Sequence, residues 1–284
     1  TLSYLTPTLL IFFGVSQVAK NDSGIPITTF IAFMIGAVVS IGSILWTLRT
    51  TKEIPLTEEE IAEIKESPAG VKSTITEIAQ AIREMPSTMK RMIPMMLFSW
   101  YAMFIYWQYI TLCLSKTLHD TVDPTTTGFR SSELLTGQIG AFYNFMAFVS
   151  AFGLATLANK YGPKYIHMIC LFLAGVGLLS IPFIQTENVL FIPMIGMGLS
   201  WASMMGNPYI MLAGSIPANR TGVYMGIFNM FIVIPQIIAA LGGVNALSKI
   251  FGDGPIAPML LAGSSLVLAG LLNLILTDKQ ITRG

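Results

Sequence analysis

The sequence predicts an all-α integral membrane protein with about eight transmembrane helices, on three observations. Hydrophobic residues fill 53% of the 284 positions and charged residues only 11%, whereas a soluble domain carries about 25% charged residues. Apolar segments recur at roughly 2–18, 27–48, 92–115, 134–158, 165–184, 189–216, 222–247 and 256–277, most of them near the ~20 residues needed to cross hydrocarbon. Basic residues are shared unequally between alternate loops, as an oriented membrane protein requires.

Composition also removes several functional classes. A formal net charge of +1 gives no reason to expect a nucleic-acid partner. Cys113 and Cys170 both fall inside apolar segments, without metal-ligand spacing or a disulfide pattern, and are expected as buried thiols. The sequence holds no zinc-type spacing, no phosphate-cradling glycine loop and no Ser/His/acid set. Accordingly no cofactor, no metal site and no enzymatic activity is expected. His119 falls in an outer loop, and His167 lies at the inner end of the fifth segment, where an interfacial histidine is expected rather than a proton relay.

The first segment is short and interrupted by Pro7. The chain begins at Thr1 with no basic region before this segment, which argues against a signal peptide and for a start that lies upstream. Residues 49–91 form the one long hydrophilic stretch, with seven basic and eight acidic residues. Thr57 followed by Glu58, Glu59 and Glu60 suits a helix N-terminus. Ile61 and Ile64, then Ile75, Ile78, Ala79 and Ile82, recur at helical spacing and predict two short amphipathic helices around Pro68-Ala69-Gly70. This stretch is expected to be a linker lying on the membrane surface, the alternative being a regulatory docking site.

Placing that linker in the cytoplasm and alternating sides gives the inner face twelve basic residues: Arg49, Lys52, Lys65, Lys72, Arg83, Lys90, Arg91, Lys160, Lys164, Arg220, Lys279 and Arg283. The outer face receives four, Lys20, Lys116, Arg130 and Lys249. The asymmetry orients both ends of the chain toward the cytoplasm.

The third segment is the most aromatic. On a helical wheel Trp100, Tyr101, Phe104, Trp107, Gln108, Thr111 and Ser115 share one arc of about 120°. An arc mixing indole faces with amide and hydroxyl groups suits a sugar, whose C–H faces stack on rings while its hydroxyls need paired donors and acceptors. An interfacial aromatic belt is the alternative, and it accounts less well for Trp107 and Gln108 near mid-depth. In the fourth segment Gln138, Tyr143 and Asn144 do not share a face.

The sixth and seventh segments meet at a turn whose single charge is Arg220. Gly196, Ser200, Ser203 and Asn207 fall on one face of the sixth, and Gly222, Met225, Gly226, Asn229, Gln236 and Gly243 on one face of the seventh. Small residues at this spacing serve helix packing, as in Gly222-xxx-Gly226. Polar amides in hydrocarbon must face other helices or a wet cavity. Asn229 and Gln236, with Pro235 interrupting the helix ladder between them, favour the cavity. The eighth segment, with Gly263, Ser264, Ser265 and Asn273, is expected to be a peripheral packing helix.

The strings Trp201-Ala202-Ser203, Pro208-Tyr209, Leu212-Ala213-Gly214 and Gly222-Val223-Tyr224-Met225-Gly226-Ile227-Phe228-Asn229 through Pro235-Gln236 resemble sugar:cation symporters of the major facilitator superfamily. Within it they are most similar to the sucrose/maltose-transporter-like branch of the glycoside–pentoside–hexuronide group. Leu45-Trp46-Thr47-Leu48-Arg49-Thr50-Thr51-Lys52-Glu53 and Phe98-Ser99-Trp100-Tyr101-Ala102-Met103-Phe104 agree. The resemblance implies the last two helices of a first lobe at 1–48, a cytoplasmic inter-lobe linker at 49–91 and a six-helix second lobe at 92–284, with four helices upstream. It implies alternating access around a sugar site near the midplane, and a coupling carboxylate commonly in the first lobe; none of the 15 acidic residues here lies mid-span.

The resemblance extends to Gly153…Leu157-Ala158-Asn159-Lys160-Tyr161-Gly162-Pro163-Lys164, a cytoplasmic loop that latches neighbouring helices. Asn159 stands where an acid is expected and Pro163 where a basic residue is, so only Gly162 and Lys164 carry over as conformational residues, together with Arg220. Candidate substrate-binding residues are Trp100, Tyr101, Trp107, Gln108, Asn207, Asn229 and Gln236. The implied partners are a sugar (a disaccharide or other glycoside), a coupling cation (a proton, with sodium as the alternative) and the lipid bilayer of a cell membrane. A sugar sensor that does not transport is the reading from another class.

Overall fold

A computed structural model describes residues 2–16, 19–52, 57–58, 70–217 and 220–276, with side chains from residue 6 onward. The described residues are helical throughout, apart from turns and one isolated bridge between Lys20 and Pro26. They divide into two compact units, Leu2–Glu84 and Met85 onward. The first of the two expected amphipathic helices, near 57–65, lies beyond Glu58 outside the described residues.

In the first unit α1 (Leu2–Phe12) packs on α2 (Ile27–Thr50), and α3 spans Val71–Arg83. Asn21 folds the α1–α2 connection, its Oδ1 accepting from the backbone N–H groups of Ser23 and Ile25 at 3.1 and 2.9 Å. Along α2 the apolar side chains point outward. Its hydroxyls are satisfied by their own helix: Ser43 donates to the Ser40 carbonyl, Thr47 to Ser43 and Thr50 to Trp46. That is how a hydroxyl is tolerated in hydrocarbon without a second helix.

The second unit holds α4 (Ser87–His119), α5 (Thr127–Tyr161), α6 (Pro163–Ser180), α7 (Phe191–Ala213), α8 (Thr221–Ile238), the short α9 (Val244–Ser248) and α10 (Ala257–Leu272). Five of them close a ring in the order α4, α5, α7, α6, α10 and back to α4, and α8 leans on α4. Helix ends follow local chemistry. Thr126 caps α5 by accepting from the Phe129 N–H at 3.2 Å, and Asp120 ends α4 in the left-handed region with φ 48°. The hydrogen bond and charge of Lys116 hold the Asp120 carboxyl below its usual range. Gly162, at φ 92°, ends α5, and Pro163 starts α6 at once, its missing N–H costing nothing in a first turn.

Six described helices are long and apolar enough to cross a membrane, and the chain is a multi-pass membrane protein. Two expected spans differ from that standard. The α1 helix has 11 residues. At 33 residues α4 is amply long, but Trp100, Tyr101, Tyr106, Trp107, Gln108 and Tyr109 make its centre amphipathic.

Two further expectations are corrected. The segment 222–247 is not one helix: α8 passes into a π-turn over Ala239–Gly243, and Gly242 takes φ +100°. A side chain would resist that conformation, and beyond it Gly243 leaves the register of Asn229 and Gln236. Nor is α10 peripheral. Of the candidate spans it is the most enclosed, because Gly175 of α6 and Gly263 of α10 let the two backbones meet; a Cβ on either would lie 2.9 Å from the other's carbonyl oxygen. Such dispersion-driven contact is what holds helices together in lipid.

Candidate functional site

An aromatic cluster joins α4, α5 and α7. Trp100 and Trp107 stand seven residues apart on α4, two turns or about 10 Å along the axis. The Trp201 ring of α7 meets both edge-on, at centroid distances of 6.0 Å to Trp100 and 5.5 Å to Trp107. Tyr143 of α5 anchors the group: its hydroxyl accepts from Trp107 Nε1 at 3.3 Å, and its ring meets Tyr106 edge-on at 6.1 Å. Edge-to-face pairing suits the ring quadrupoles and fixes the ring orientations.

The cluster is open at one end. Trp107 is 38% exposed while Trp100 is buried at 6%. Gln108 beside it is exposed, and no described residue pairs with its amide. One turn on, the hydroxyls of Thr111 and Thr136 bridge α4 to α5 at 3.1 Å. Trp100 Nε1, Tyr101 Oη and Ser200 Oγ are buried without a hydrogen-bond partner among the described residues. The arrangement presents a held aromatic surface with amide and hydroxyl groups around it, suited to a ligand with both apolar faces and hydroxyls. Tyr143 and Trp201 were absent from the sequence-predicted set. Tyr143 shares a face with neither Gln138 nor Asn144, and Trp201 stood out only as part of a family string.

The structure does not bring the remaining candidates to this cluster. Asn207 lies on the α6 side of α7, buried, donating from Nδ2 to Ser203 Oγ at 2.8 Å. Ser203 in turn shares a 2.8 Å hydrogen bond with His167 Nδ1 of α6. His167 thus faces α7 and is fully buried, and its Nε2 has no partner among the described residues. The α7 stripe continues at Gly196, where a Cβ would meet the Leu173 carbonyl oxygen of α6 at 2.9 Å. This polar stripe is helix packing.

The α8 stripe is placed differently. Tyr224, Ile227, Phe228, Phe231 and Pro235 form the buried side of α8, which packs on α4. Gly222, Gly226 and Asn229 lie exposed on the other side. A Cβ on Gly222 or Gly226 would meet nothing within 4 Å. Asn229 has no side-chain hydrogen bond among the described residues, and Gln236 Nε2 folds back on the Ile232 carbonyl at 2.9 Å.

The conformational candidates sit at helix ends. Lys164 is buried, and its Nζ donates to the Leu274 and Leu276 carbonyls at the end of α10. Arg91 of α4 reaches the Ile275 carbonyl at 3.5 Å. Two cations on the unsatisfied carbonyls of one C-terminus oppose its negative dipole end. The Arg220 guanidinium sits 5.7 Å from the Tyr224 ring centroid.

Comparison with known proteins agrees with a transporter architecture. Sucrose transport protein SUT1 of Oryza sativa, in both the japonica and indica subspecies, is 22% identical over 278 residues, covering 87% of this chain and 51% of the relative. The chain thus spans about half the length of the curated relatives it matches. The sequence profile of the Major Facilitator Superfamily matches residues 9–240, across both units. With its helical, membrane-spanning fold, the chain belongs to the Major Facilitator Superfamily.

Proposed function

We propose that this chain is part of a secondary transporter that takes up a glycoside, a disaccharide such as sucrose or maltose, together with a proton. The observation that carries the proposal is the held indole cluster: Trp107, half open and hydrogen-bonded to Tyr143, backed by Trp201 and bordered by the unpaired amide of Gln108. Superfamily membership and the sucrose-transporting relatives support a sugar as the substrate. The protein works as a carrier and not as an enzyme. In this reading Trp107 stacks on the sugar's C–H face, and Trp201 and Tyr143 hold that ring with Trp100 behind Trp201. Tyr101 and Gln108 serve the sugar's hydroxyls there, and Asn229 and Gln236 meet it at a separate point of its path, on the polar side of α8. Lys164, Gly162 and Arg220 belong to the helix-end contacts on the cytoplasmic side that change as access alternates, and residues 49–91 link two lobes.

The test is uptake of labelled sucrose and maltose by the full-length protein in proteoliposomes, under an imposed pH gradient or an imposed sodium gradient. A pH-driven signal is expected. A sodium-driven one would replace the proton, and binding without uptake would make the protein a sensor. Trp107→Leu should raise the half-saturating sugar concentration somewhat under tenfold, since a stacking contact contributes about 1 kcal/mol. Unchanged kinetics in a well-folded Trp107→Leu protein would return the cluster to a packing role.

A further inference from the structure

The helix α3 carries an apolar stripe that the described residues of its own unit leave exposed. Val71, Ile75, Ile78 and Ile82 recur at intervals of four, three and four residues, within an arc of about 60° at 100° per residue. They are 79%, 61%, 36% and 45% exposed. Thr76, Glu77 and Gln80 occupy the opposite side, and Gln80 donates to Glu84 at 2.9 Å. Lys72 and Arg83 fall about 90–110° from the stripe's centre on one flank, where long stems can lie along an apolar surface and lift their charges to its edge.

Two observations select the occupant of this face. The first is continuity with the membrane. Only Glu84–Pro86 separate α3 from α4, a reach of about 10 Å at most, so the helix is tethered where the chain enters the bilayer. The second is charge. On α3 itself Lys72 and Arg83 lie on one flank of the stripe, while Glu77 and the following Glu84 fall about 130–150° from its centre on the other side, so the charges nearest the stripe's edge are basic. A narrow apolar stripe with basic residues on its flank and low overall hydrophobicity is the pattern of a helix lying in a bilayer interface.

We propose that α3 is a binding surface for anionic lipid. Its Val71–Ile82 stripe sinks into the boundary between headgroups and acyl chains, and Lys72 and Arg83 engage the phosphate-bearing headgroups of that leaflet. The surface is independent of the sugar site and would make transport sensitive to the anionic lipid content of the membrane.

The test uses the full-length protein in nanodiscs of phosphatidylcholine alone or phosphatidylcholine mixed with phosphatidylglycerol. Ile75→Cys and Gln80→Cys carry an environment-sensitive fluorophore in separate samples; native Cys113 and Cys170, 0% and 3% exposed, are shielded from labelling. Doxyl-labelled lipid should quench position 75 several-fold more than position 80, and phosphatidylglycerol should increase that quenching. Lys72→Gln with Arg83→Gln should erase the increase. Position 75 quenched by aqueous iodide and not by doxyl lipid would overturn the proposal, since the stripe would be solvated. Protection from both quenchers would overturn it in favour of a protein partner. Quenching at 75 that is indifferent to phosphatidylglycerol and to the double substitution would overturn the anionic-lipid assignment.

Discussion

On α7, Gly196, Ser200, Ser203 and Asn207 face a neighbouring helix and are buried or closely approached. On α8, Gly222, Gly226 and Asn229 face away from α4 and lie exposed, with open space around the two glycines. The two stripes are alike in pattern: Gly196, Ser200 and Ser203 on one and Gly222, Gly226 and Asn229 on the other set glycine or small polar residues at intervals of four and three. What separates them is the opposite face of each helix. On α8 the bulky face of Tyr224, Phe228 and Phe231 takes the packing surface against α4, which leaves the polar face over. On α7 the small face itself is the packing surface, because only there can the α6 backbone approach. A polar stripe in a membrane helix is thus a cavity candidate only when a better packing face stands opposite it.

The sharpest way to break this comparison is bulk. Gly196→Leu places atoms against the Leu173 backbone and should destabilise the protein by about 3 kcal/mol. Gly226→Leu has open space and should stay within about 0.5 kcal/mol of the parent. Thermal unfolding of the full-length protein in nanodiscs measures both, and equal losses would erase the distinction between the stripes.

Next in size is Ser203→Ala. It removes the hydroxyl shared by His167 and Asn207 and leaves buried polar atoms unpaired, a cost of about 2 kcal/mol. The half-saturating sugar concentration should stay unchanged, because this hydroxyl serves packing. A shift in sugar affinity without loss of stability would move the α7 stripe into the binding site.

Asn229→Leu and Gln236→Leu should behave in the reverse way, with stability held or slightly raised and sugar affinity lowered by about 1–2 kcal/mol. Equilibrium binding of sucrose to the purified carrier reads this directly. Indifference to both substitutions would remove α8 from the site. The smallest effect is expected for Gly226→Ala, a gain of about 0.5 kcal/mol from the lost backbone freedom of glycine alone.

Much of the helical framework was legible in the chain. Long apolar runs separated by charged or Gly/Pro-containing loops place most helices to within a few residues, since hydrocarbon leaves a spanning backbone little other choice. Local breaks were harder. Gly242-Gly243 interrupts the seventh segment, although glycines in membrane helices more often mark packing, and only the φ of +100° at Gly242 distinguishes the two uses. In the candidate site the α4 arc was read from its period, with Trp100 and Trp107 on one side. Tyr143 and Trp201, which hold those rings, come from helices whose mutual rotation no spacing along one helix encodes. The partner of His167 was hidden for the same reason: it lies 36 residues away on α7.

The sequence by itself determined that this is a helical membrane protein, which stretches are candidates to cross hydrocarbon, and which faces of each helix are small, aromatic or polar. Those properties follow from composition and from a period of 3.6 residues, both local to the chain. Only the tertiary structure decided which faces meet. It turned the α7 stripe onto α6 and left the α8 stripe unpacked. It also drew α10 into the ring through Gly175 and Gly263 and set Trp201 against Trp100 and Trp107. In lipid no hydrophobic force distinguishes one apolar face from another. The choice falls to shape, to backbone approach at small residues and to buried hydrogen bonds, all of them properties of pairs of helices.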